Sequence, residues 1–151
     1  MSRLKKFLAL SGIEKRIFFK ALCGLPLVHL RLRLLGFKKY LAQLQRIPLA
    51  TIHPEIDPST YPAHTSYLVN AAARLLFRRE ACLERSIMLW SMLRRKGIES
   101  ELKIGVAKAH QELQAHAWVE IDDTAINEPR DAHQRFTAFD CSLTPEYRDF
   151  S

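Results

Sequence analysis

The apolar spacing of this chain changes character once, near Gly97, from a helical period to strict alternation. Upstream, Leu27, Leu30, Leu34, Phe37 and Leu41 recur at spacings of three and four, which predicts one apolar stripe facing a core. Leu83, Ile87, Trp90 and Leu93 repeat the pattern. Downstream, residues 100–107 and 113–121 alternate as strands, and 124–128 reads as a short third. Helices are predicted over 3–9, 13–23, 26–45, 64–78 and 82–96, with breaks at Gly12 and Gly24-Leu-Pro26. The last of them ends in Arg94-Arg95-Lys96-Gly97, cations in the final turn and a glycine stop. Helices first and an antiparallel sheet second define an α+β layout.

At 151 residues, 48% hydrophobic and 26% charged, the chain is sized for one globular domain with a real core. Its basic character is local. Residues 1–50 carry 11 Lys and Arg against the single acid Glu14, whereas the remainder is slightly acidic. Four of the seven prolines fall within 46–64 (Pro48, Pro54, Pro58, Pro62), a stiff extended stretch. The expected organisation is a basic helical segment over 1–50, a Pro-rich connector over 51–63 and a core over 64–151. The apolar run at the N-terminus stops at Ser11-Gly12, too short for a secretory signal, and Lys20, Arg31 and Arg33 interrupt residues 17–35 as a membrane span. Three scattered cysteines suit a reducing compartment, so a cytoplasmic location is expected. No histidine shares metal-ligand spacing with a cysteine or carboxylate, and neither metal nor cofactor is expected.

The chemistry-bearing pattern is Cys82 at the head of a helix and His116 in a strand 34 residues later. A helix N-terminus places partial positive charge near the sulfur, and Arg78, Arg79 and Arg85 add to it, which favours the nucleophilic thiolate. A strand-borne imidazole opposite such a thiol is the working geometry of a cysteine nucleophile. Cys23 and Cys141 lack that setting, and the other five histidines read as structural or surface residues.

Cys82-Leu-Glu-Arg-Ser opening a helix, Leu102-Lys-Ile-Gly-Val, and Ala115-His-Ala-Trp-Val-Glu together resemble the leader-removing B proteins of lasso peptide biosynthesis. Those are transglutaminase-like cysteine peptidases with a papain-like core. The resemblance spans about residues 60–140, more weakly extending to the Arg/Leu-rich N-terminus with its Leu-Leu-Gly-Phe. It implies Cys82 as nucleophile and His116 as general base and acid. The family's third member is an Asp twelve residues after the His, where this chain has Glu128, preceded by Asn127. An Asn also orients a histidine in papain-like proteases.

Strand parity separates the two candidates. A two-residue turn at Asp122-Asp123 pairs Trp118 with Asn127 and places Asn127 on the face of His116, whereas a three-residue turn brings Glu128 there. Glu128 matches the family spacing and is preferred, with Asn127 as the alternative. The backbone N–H of Cys82 is the natural first oxyanion donor, Arg85 is a supporting residue, and Trp118 either walls the site or fills core.

The resemblance further implies cleavage of a ribosomal precursor peptide, through an acyl-enzyme, ahead of a ring-closing cyclase. Leader capture in that family falls to a small winged-helix domain, and residues 1–60 do not resemble one. A separate leader-recognition protein is therefore an expected partner, and the cyclase a further one. The basic N-terminal helices read as a solvated face, as a docking face for those partners, or as a contact for anionic membrane surface. No basic–aromatic interleaving points to nucleic acid. The rival functions are an acyltransferase of the transglutaminase type and a non-catalytic peptide-binding module.

Overall fold

The computed structural model describes residues 8–77, 81–109, 112–128 and 137–139. Four helices precede a four-stranded antiparallel sheet among these residues, an α+β fold as the change of period implies. The helices are α1 (Gly12–Leu35), α2 (Phe37–Gln45), α3 (Tyr61–Leu76) and α4 (Cys82–Arg94). The strands are β1 (Glu101–Ala109), β2 (Glu112–Ile121), β3 (Thr124–Ala125) and β4 (Thr137–Phe139), in the order β3-β2-β1-β4. The expected helix over 3–9 lies largely outside the described residues. Three residues are too few to show a period, which is why β4 was not legible.

Helix α1 departs from the sequence expectation in two ways. It runs unbroken through Gly24 and Pro26, and the break comes at Gly36, whose φ of 76° suits glycine. An interior proline costs a helix about 3 kcal/mol. Burial of Ile17, Ala21, Leu25 and Val28 along the same helix outweighs it. Gly24 serves as a contact surface, since a Cβ there would meet the Met88 thioether at 2.6 Å.

The second departure concerns the leucine stripe. Leu27, Leu30 and Leu34 are 49%, 50% and 74% exposed, so the expected stripe faces outward. Helix α1 is apolar on two faces, and period alone does not choose between them. The face with small residues, Ala21 and Gly24, allows close approach to α3 and α4 and is the one buried. Phe37 and Leu41 belong to α2, where the break at Gly36 resets the helical phase.

The core has two main clusters, and both join the N-terminal helices to the rest. Ile17, Ala21 and Leu25 of α1 pack with Leu68, Val69 and Ala72 of α3. Val28, Tyr40 and Leu44 pack with Ile87, Trp90 and Leu93 of α4 and with Leu102 and Val119 of the sheet. Residues on both sides of the Pro-rich stretch thus share the same clusters. Helix α4 lies at its centre, against β2 on one side and α1 and α3 on the other. No helix among the described residues is long and apolar enough to cross a membrane.

Candidate active site

Cys82 occupies the first position of α4, and the residue before it, Ala81, offers no side-chain oxygen to cap the helix. The first-turn amides of any helix lack intrahelical acceptors, so positive potential is left at the sulfur. His116 stands near the middle of β2, which pairs with β1 over nine residues from Glu101↔Glu120 to Ala109↔Glu112. That ladder fixes the strand against slippage and brings the imidazole to the thiol, which it engages in a hydrogen bond.

The chain reaches Glu128 by an irregular route. Asp122 and Asp123 both have positive φ (48° and 58°) and form a two-residue turn, with Ile121↔Thr124 and Glu120↔Ala125 in register. Parity along a continuous ladder would then seat Asn127 beside His116. The ladder ends first. Ile126 N–H still donates to the Val119 carbonyl at 2.9 Å, but Val119 N–H turns to the Asn127 side-chain oxygen at 2.8 Å. The Ile126 carbonyl accepts instead from the Ser66 hydroxyl at 3.0 Å. Asn127 Nδ2 donates to Ser86 Oγ at 2.9 Å, and Ser86 in turn donates to the Ala117 carbonyl at 2.9 Å. Asn127, the alternative orienting residue, is therefore buried and committed to anchoring the hairpin on α4. With the strand ended, residue 128 swings under the imidazole.

Glu128 Oε2 lies 3.4 Å from His116 Nε2, which leaves Nδ1 as the nitrogen facing Cys82. The other carboxylate oxygen, Oε1, accepts from Arg85 NH2 at 2.9 Å, and Arg85 NH1 donates to the Asn70 side-chain oxygen at 3.3 Å. Arg85 sits one helical turn beyond Cys82 on α4, so the helix that carries the thiol also fixes the carboxylate. Trp118 is fully buried, and its ring lies nearly parallel to the imidazole (22°, centroids 6.2 Å apart). It donates its indole N–H to Glu120 at 2.6 Å. Trp118 thus both fills core and backs the histidine.

These contacts set the charges. Burial pushes the Cys82 thiol up, but the His116 hydrogen bond, the Ala117 backbone amide, the imidazolium charge and Arg85 together bring it below its ordinary value. His116 is raised to about 9, first by its bond to Cys82 and then by that to Glu128, against the opposing effect of burial. Burial also pushes Glu128 up, while His116 and Arg85 more than reverse it. Each shift favours a thiolate–imidazolium pair with an ionised carboxylate behind it, the charge state a cysteine nucleophile needs.

Cys23 is exposed on α1, while Cys141, His110, His133, Arg78 and Arg79 lie outside the described residues. No group of three or more His, Cys, Asp or Glu suited to a metal occurs among the described residues. Three contributors escaped sequence reasoning. Asn70 and Ser86 hold Arg85 and Asn127, and His29 of α1 reaches Glu84 in the first turn of α4 at 2.8 Å. Only Ser86 had a signal, as the last residue of the Cys-Leu-x-Arg-Ser motif.

Residues 24–139 match the Transglutaminase-like superfamily, and the chain belongs to that family. The match begins inside α1, in keeping with the shared core. No curated protein and no solved structure matches the chain.

Proposed function

We propose that this protein is a leader peptidase of lasso peptide maturation, cleaving a ribosomal precursor peptide with Cys82 as nucleophile, His116 as acid and base, and Glu128 as orienting carboxylate. The observation that carries the reading is the alignment of Cys82, His116 and Glu128 at the start of α4, within a family that includes cysteine peptidases and transglutaminases. In the first step the Cys82 thiolate attacks the scissile carbonyl carbon, and the Cys82 backbone N–H at the helix start faces the developing oxyanion. The imidazolium gives its Nδ1 proton to the leaving amine as the C–N bond breaks, leaving a thioester. Neutral His116 then takes a proton from water, whose oxygen attacks the thioester. The products are a carboxylic acid, which gives its proton to solvent, the thiolate and the restored imidazolium. Throughout, Glu128 holds Nε2 and Arg85 holds Glu128.

Residues 12–45 form two helices that pack into the catalytic unit, which supports leader recognition by a separate protein. The basic surface of those helices offers a docking face for that partner or for the cyclase. An amine in place of water would turn the same thioester into a new amide, the acyltransferase alternative.

Incubating precursor peptide with the protein, with and without the recognition partner, and reading products by mass spectrometry tests the proposal. Cleavage at one bond, accelerated by the partner through leader capture, is the expected result. Amide transfer to added amines at the expense of hydrolysis would favour the acyltransferase instead.

A further inference from the structure

We propose that the cavity beside Cys82 is a specificity pocket for one uncharged, apolar substrate side chain next to the attacked carbonyl, and that Phe37 sets its size. This rests on Cys82 being the nucleophile. The cavity holds about 170 Å³ and is lined in part by Cys82 and His116. Its remaining walls are Phe37 of α2, Leu83 of α4, Ile104 of β1, and Ala115 and Ala117 of β2.

The chemistry of those walls selects against polar occupants. Cys82 and His116 supply the polar side chains of the lining, and each is engaged with the other. The Ala117 amide is already directed to the sulfur. A substrate carboxylate would meet the thiolate at close range, and a substrate ammonium would compete with His116 for it. Size selects as well. An apolar cavity of about 150 Å³ lined by aliphatic and aromatic side chains admits a benzene ring. This one therefore has room for a Leu, Ile or Phe side chain.

Phe37 is the wall most open to variation. It stands immediately after the Gly36 reversal (φ 76°) and is the wall contributed from outside α4 and the β1–β2 pair. Ala115, on the rim, is the place where added bulk would fill the space.

The test uses the full chain and acetyl-aminoacyl chloromethyl ketones that differ only in side chain (Gly, Leu, Phe, Trp, Asp, Lys). Modification of Cys82 is followed by mass spectrometry and divided by the rate with iodoacetamide, which carries no side chain. Leu and Phe reagents should react at least ~10-fold faster than Gly, Asp or Lys, the scale on which an apolar pocket discriminates side chains. Phe37→Ala should move the optimum of the normalised rates toward the largest side chains, and Ala115→Leu should erase the Leu preference. Equal normalised rates for all reagents on the wild type would overturn the pocket while leaving Cys82 as nucleophile. A wild-type Leu preference untouched by both variants would overturn the assignment of its walls. A Cys82 that reacts with none of the reagents, iodoacetamide included, would overturn both proposals.

Discussion

The two ends of α4 are built to opposite standards. At its C-terminus Arg94, Trp90, Gly97 and Ile98 are tied down. Arg94 lies over the Trp90 ring at 5.4 Å and donates Nε–H to the Ile47 carbonyl, and the Trp90 indole donates to Ser100 at 3.1 Å. Gly97 closes the helix at φ 78°, where a Cβ would strike the Ala50 carbonyl and Ile52 amide at 2.6 Å. Ile98 N–H returns to Leu93 at 3.0 Å. At the N-terminus, Ala81 brings no cap, a half-buried thiol lies beside an imidazole, and a carboxylate and guanidinium are drawn in behind it. A helix start optimised for stability would carry Ser, Thr, Asp or Asn at that cap, worth about 1 kcal/mol. Stability is concentrated at one end of the helix and reactive charge at the other.

Substitutions at the two ends should therefore fail in different ways. Cys82→Ala should lower peptide cleavage by ~10³-fold or more, as loss of a nucleophile does. Thermal unfolding should show the fold intact, because Cys82 is only half-buried and alanine is a good helix former. Trp90→Ala should cost about 3–5 kcal/mol of stability, read by urea denaturation, with activity falling only as the folded fraction falls. A Cys82→Ala protein that unfolds, or a stable Trp90→Ala protein, would break the contrast.

Glu128→Gln should slow cleavage on the order of 10²-fold. That is less than the ~10⁴ lost when the acid of a Ser-His-Asp triad becomes an amide, because Cys82 already carries its charge before attack. Without that carboxylate His116 should lose its proton below about 9, so the alkaline limb of kcat/KM should move to lower pH. Folding is linked to the same proton. His116 binds it more tightly when folded, so its own contribution to stability is complete below the ordinary imidazole value of 6.5 and fades as pH rises through about 9. The smallest effect belongs to Asn127→Ala, which leaves the buried Val119 N–H without its acceptor and should cost about 1–3 kcal/mol. Its activity, corrected for folded fraction, should exceed that of Glu128→Gln, and the reverse order would return the orienting role to Asn127.

What was legible in the sequence follows the same division. The α+β order, α4 and the β2 strand were readable because period, turn residues and the Gly97 stop agree with the packing there. Cys82 and His116 were readable because helix start and strand are local properties. The face of α1 was not, since two apolar faces competed and only contact with α3 and Met88 decides between them. The choice between Asn127 and Glu128 was hidden for a different reason. Hairpin parity gives the answer only while a ladder continues, and here an Asn side chain takes the place of the Ile126 carbonyl. Asn70 and Phe37 have no sequence signal, because each meets the site only through tertiary packing.

The central claim is that His116 holds Cys82 as a thiolate, and the pH dependence of Cys82 alkylation tests it most directly. Iodoacetamide modification of Cys82, resolved from Cys23 and Cys141 by peptide mass spectrometry, should titrate below the ordinary thiol value of 9.0 in the wild type. In His116→Ala the inflection should rise, because the largest opposing influence on burial is gone. A wild-type inflection at the ordinary thiol value, or a His116→Ala profile that overlays the wild type, would contradict the account.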